Sequence, residues 1–205
     1  MALRLLLCLL LAGWLPAAAE VEDPMLELAQ RLSAFDQLSG AFTQRLLGEK
    51  GEILEESAGS FALLRPGFLR WHIERPEEQL LLVSGDSLWH YDVELETATQ
   101  RRIAQGDPTS PLTILGGDPD TLAGFYAVSL PQPDRFLLNP RFTDADFVAV
   151  ALVFENGRPT GLDIEDRMGR TARISLSLDA SSSRLSPADF MFVPPAGVDV
   201  YQNVR

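Results

Sequence analysis

Only two side chains of this chain, His72 and His90, are histidines, the residue type that most often serves as a base near neutral pH, and there is a single cysteine, Cys8. Alternation along their strands puts both histidines on the wet outer face of a sheet. There they are either ordinary surface residues or, as neighbours across two strands, ligands to a metal ion. The acidic groups Glu77-Glu78, Asp144/Asp146 and Asp163/Glu165/Asp166 lack the ordered oxygen spacing of a calcium loop and read as a solvated surface. The sequence contains no Gly-rich phosphate loop, no G-x-S-x-G elbow and no basic-aromatic stripe. Binding is expected, without catalysis, metal or cofactor.

Arg65 offers a different chemistry. It falls on the same strand face as Phe61 and Leu63, just before Pro66-Gly67. That brings a cation to the apolar side of a sheet with no acidic partner close in sequence. Its guanidinium either extends along its stem to the solvated rim or bonds to carbonyl oxygens orphaned at a helix end, which carry partial negative charge.

A sheet must present these residues, and most of the sequence alternates with a period of two. Ile174, Leu176 and Leu178 interleave with Arg173, Ser175, Ser177 and Asp179, giving one dry face and one wet. Turn signals recur roughly every ten residues, at Ser84-Gly85-Asp86, Pro131-Gln132-Pro133, Asn156-Gly157 and Arg167-Met168-Gly169. About eleven strands follow in an antiparallel meander, too many for a flat sheet. The fold class is mainly β with a few helices: a curved sheet or unclosed antiparallel barrel. Asp23-Pro24 opens an amphipathic helix to about Phe35, carried by Met25, Leu28 and Leu32. Ser110-Pro111 opens a short helix with Leu112, Ile114 and Leu115, and Asp118-Pro119 another with Leu122 and Phe125. Parity assigns Phe61, Leu63, Leu69, Trp71, Ile73, Trp89, Tyr91, Phe136 and Leu138 to the concave face. They form either a packed core under the helices or the wall of an apolar cavity.

Residues 1–19 have the form of a cleavable secretory signal: Arg4, an apolar run from Leu5 to Leu15, and Ala17-Ala18-Ala19. The run is too short to span a membrane. Residues 20–205 are then a single domain without cysteine, and loss of Arg4 takes the formal charge from −12 to −13. Such an acidic surface repels nucleic acid and anionic lipid and is steered towards basic partners.

Several segments in order carry a resemblance: Phe42-Thr43-Gln44; Arg65-Pro66-Gly67-Phe68-Leu69-Arg70-Trp71; the run from Leu82 to Asp92; Ser110-Pro111-Leu112; and Phe190 to Val198. Together they resemble the periplasmic lipoprotein carrier family of Gram-negative bacteria, LolA. The resemblance implies an unclosed barrel of eleven antiparallel strands, a three-helix lid and an apolar cavity between them. It implies a latch arginine at Arg65 and acyl contacts from Phe61, Leu63, Leu69, Trp71, Ile73, Trp89, Tyr91, Leu112, Leu115, Phe136 and Leu138. Where the family often has an aromatic two residues before the tryptophan, this chain has Leu69. The implied partners are acylated lipoproteins, an ATP-driven inner-membrane exporter of LolCDE type and an outer-membrane acceptor of LolB type, served by a monomer in the periplasm. A related half-barrel that senses lipid or lipoprotein for signalling is the alternative; a hydrolase is disfavoured because no nucleophile and base can be placed together.

Overall fold

The computed structural model describes residues 23–103, 113–116, 118–143, 145–180 and 184–203. The expected signal segment and Leu112 lie outside them, as does the Ser110-Pro111 opening. Asp23 caps α1 (Pro24–Ser33), its carboxylate accepting from the Met25 amide at 2.9 Å, with Pro24 in the first turn where no amide is needed. Leu28 and Leu32 lie on one face of α1 and are fully buried. The helix stops short of Phe35, whose ring lies instead beneath the Arg65 guanidinium.

Twelve strands form one unclosed sheet: β1 (Gln37–Leu47), β2 (Ile53–Leu64), β3 (Phe68–Arg75), β4 (Gln79–Ser84), β5 (Ser87–Asp92), β6 (Thr97–Arg102), β7 (Tyr126–Gln132), β8 (Arg135–Pro140), β9 (Phe147–Glu155), β10 (Arg158–Asp166), β11 (Thr171–Leu178) and β12 (Asp199–Asn203). The meander from β1 to β6 meets a second, from β7 to β11, where β1 pairs with β11; β12 and β7 are the two edges. The count is one more than the sequence suggests, and β12 runs parallel to β6. A parallel partner arrives by a long crossover, which hairpin signals do not mark. Between β6 and β7 lie α2 (Thr113–Gly116), a 3₁₀ turn (Pro119–Thr121) and α3 (Leu122–Phe125).

One contiguous apolar core lies between the sheet and the helices. Leu63, Phe136, Leu138, Val150 and Leu152 have no exposed surface. The Phe42 and Trp71 rings stack with centroids 3.9 Å apart although β2 runs between their strands. Gly59 makes that possible. It pairs with Phe42 on one side and Ile73 on the other, leaving the floor under the stack without a side chain. A Cβ there would also sit 1.9 Å from the His72 carbonyl oxygen. Gly59→Ala is therefore expected to cost at least about 2 kcal/mol, read as a lowered denaturant midpoint at unchanged m; an unchanged midpoint would mean that β2 and β3 separate freely.

Candidate functional site

The inner face of β2 and β3 carries five of the eleven cavity residues that the sequence singles out. Phe61, Leu63, Leu69 and Trp71 are buried in the main core, and Ile73 packs against it half-buried. The core takes Phe136 and Leu138 from β8, and from α2 it takes Leu115 together with Ile114. The apolar concave face exists, and these side chains are packed together on it. An open cleft of about 630 Å³, lined by Thr43, Gln44, Arg45, Glu56, Ser57, Ala58, Arg75 and Pro76, includes no residue of the helices.

Trp89 and Tyr91 are on the other face. The two-residue turn Gly85-Asp86 pairs Ser84 with Ser87, which sets Leu82 opposite Trp89 and Val83 opposite Leu88. Val83 and Leu88 join the inner core, so the parity of β5 is the reverse of that expected. What invited the wrong assignment is that the outer face is dry here. The segment from Leu185 to Phe192 crosses it, burying Phe190 against Phe68 and setting Phe192 at 5.3 Å from both Trp89 and Tyr91. His90 moves with the same parity to the inner side, paired with the inward-facing Leu81, while His72 stays on the outer side with its Nε2 2.8 Å from Glu78 Oε1. The histidines are thus on opposite faces and cannot share a metal. Among the described residues no group of three or more His, Cys, Asp or Glu side chains is placed to hold one.

Arg65 resolves its two readings in favour of the carbonyls. Its Nη2 donates to the carbonyl oxygen of Leu115 at 2.6 Å, in the last turn of α2, where no intrahelical amide is available. One residue on, the Gly116 carbonyl accepts from the Gly67 amide at 3.0 Å. Gly67 has a φ of 83°, the left-handed conformation that presents its amide to the helix end and that a side chain would resist. Phe35 supports the cation from below, its ring centre 4.7 Å from Cζ. Yet Nε and Nη1 of Arg65 are buried with no hydrogen-bond partner. Burial pushes its pKa down to about 10, opposed only by the charges of Asp118 and Asp36. The side chain stays charged at neutral pH, so α2 is held by a strong bond to an under-satisfied cation. Strand parity found Arg65; Phe35 and Gly59 carried no comparable signal, since one reads as helix stripe and the other as a strand glycine.

Residues 33–193 match the family model described as outer membrane lipoprotein carrier protein LolA. An outer-membrane lipoprotein carrier protein of Alkalilimnicola ehrlichii is 35% identical over 201 residues, covering 98% of this chain and 94% of the relative. One from Bordetella avium is 34% identical, covering 90% of each. Among solved structures, a LolA superfamily protein from Nitrosomonas europaea superimposes with a TM-score of 0.51 at 14% identity, covering 82% of this chain and 98% of that one. An uncharacterised conserved protein from Thermus thermophilus gives 0.55 at 12% identity, covering 87% and 98%. At those identities the structures speak for the fold alone.

Proposed function

The chain belongs to the outer membrane lipoprotein carrier (LolA) family, and from that premise we propose that it shelters the acyl chains of lipoproteins in the periplasm and hands them to an outer-membrane acceptor. The observation that carries this reading is an apolar concave face closed by a short helix that one half-buried arginine holds. Each methylene of an acyl chain gains about 0.8 kcal/mol on leaving water, so a lipoprotein cannot cross an aqueous space unsheltered. Ile114 and Leu115 bury themselves against the apolar face and α2 rests on β2 and β3, so acyl chains reach that face when α2 moves off it. Loading therefore breaks the Arg65 bond to Leu115, and unloading restores it.

The rest of the assignment follows from this role. Residues 1–19 direct export and are removed, leaving residues 20–205 as one carrier domain. Binding and release need no covalent bond made or broken, so the protein acts without catalysis or cofactor. Energy for loading comes from an ATP-driven exporter in the inner membrane, and the acceptor draws cargo by holding acyl chains more strongly. Leu63, Leu69, Trp71 and Leu115 are among the acyl contacts. Trp89 and Tyr91, on the covered outer face, are not among them.

Mass spectrometry of the protein purified from periplasm tests the reading. Intact triacylated lipoproteins are the expected co-purified species. Free fatty acid with deacylated protein would instead indicate hydrolysis, and a membrane regulator as the dominant species would indicate signalling.

A further inference from the structure

A second arginine does for α1 what Arg65 does for α2, with very different chemistry around it. Arg31, in the last turn of α1, donates from Nε and Nη2 to Glu27 Oε1 at 3.1 and 2.6 Å and from Nη1 to Asp134 Oδ1. Its guanidinium also lies over two rings of the sheet, 5.2 Å from the centre of Phe136 and 5.6 Å from that of Phe154. Asp134 sits in the turn between β7 and β8 at a φ of 62°, a left-handed conformation that few side chains tolerate. The Asp134 carbonyl is fastened to β9 by the Phe154 amide at 2.8 Å. So the residue whose side chain Arg31 grips is itself tied to the sheet through its backbone.

The contrast with Arg65 is one of satisfaction. Burial lowers the pKa of Arg31, but the bonds and charges of Asp134 and Glu27 more than offset it, and the pKa is raised. All three nitrogens of Arg31 have carboxylate partners, whereas Arg65 leaves two buried nitrogens unpaired. The elements they hold differ likewise. α1 is ten residues long, with Leu28 and Leu32 fully buried; α2 has four residues and touches the sheet at β2 and β3.

We propose that Arg31 is a positioning residue that pins α1 to the β7–β8 turn as a fixed wall, so that the lid opens only on the α2 side and cargo enters between α2 and the Arg65–Gly67 turn. The inference rests on the carrier reading for its cargo, but the pin itself exists in the empty protein. It assigns the two arginines opposite duties: one must hold through every cycle, the other must let go.

Hydrogen exchange on the empty protein, followed by mass spectrometry, tests the pin without any cargo. In the wild type the amides of residues 113–116 are expected to exchange at least tenfold faster than the central amides of α1. Asp134→Asn keeps a side chain that tolerates the left-handed turn while removing the charge, and Arg31→Gln removes the cation. Both should accelerate exchange in α1 by tenfold or more, leaving residues 113–116 unchanged. Equal exchange of α1 and α2 in the wild type, or no response of α1 to either variant, overturns the proposal.

The entry route is read separately with a fluorescent triacylated lipopeptide. A short bismaleimide across R31C/D134C should leave uptake within twofold of the wild type, and the same reagent across R65C/L115C should abolish it. Uptake blocked by the first cross-link overturns the fixed wall. If even the wild type takes up no lipopeptide, the carrier reading fails, while the exchange result still decides the pin.

Discussion

Arg65→Leu is expected to load lipoprotein at least as well as the wild type and to release it poorly, so that loaded carrier accumulates. The bond from Nη2 to the Leu115 carbonyl exists only while α2 is down. A hydrogen bond to a charged group contributes about 1.5–3 kcal/mol, and a ligand moves an equilibrium only by its differential affinity for the two states. Removing the bond raises the closed form relative to the loaded one, which tightens retention by about tenfold to a hundredfold. The lower end is the better expectation here. Two unpaired nitrogens and a lowered pKa show that burying the guanidinium already offsets part of the bond. Transfer of labelled lipoprotein to acceptor-bearing vesicles gives the measurement. Weak loading followed by normal transfer of whatever is loaded would make Arg65 a contact for cargo rather than a latch.

Trp71→Glu carries the other large effect: at pH 7 it is expected to lower loading more than tenfold and to cost about 4 kcal/mol or more of stability. Trp71 is 3% exposed, stacked on Phe42 and tilted against Phe61 at 5.8 Å. Truncating such a ring costs about 3–5 kcal/mol before any charge is considered. An unpaired carboxylate adds a further penalty unless it takes a proton. Because burial raises the pKa of the new carboxyl, the penalty is present above that pKa and fades as pH falls through it. Loading should therefore recover in part near pH 5. Trp71→Leu keeps the face apolar and is expected to load within a few-fold of the wild type. Native-like circular dichroism with unchanged loading by the glutamate variant would remove Trp71 from the binding surface.

How far the sequence reaches depends on what fixes each feature. Where apolar and polar residues alternate strictly, as from Arg173 to Leu178, one face is dry and parity reads correctly; Leu69, Trp71 and Ile73 follow the same rule. At β5 both faces are dry, because residues from the far end of the chain cover Trp89 and Tyr91, and only the pairing across Gly85-Asp86 decides which way they point. Arg65 was legible as a cation on an apolar face. Its acceptor was not, since Leu115 lies 50 residues away. Arg31 reads as an exposed helix charge paired with Glu27, and nothing local announces Asp134 or the two rings beneath.

The seam between β1 and β11 sets the order in which this molecule can come into being. Gly40 is paired with Leu178, so the middle of the sheet joins one of the first strands to one of the last. Closing so long a loop is entropically unfavourable, and topologies dominated by distant pairings fold slowly. A chain emerging from its N-terminus lacks this neighbour until nearly all of it has been delivered. Under the proposed export, the chain would therefore pass most of its length through the membrane as a pliable thread and acquire its shape on the far side.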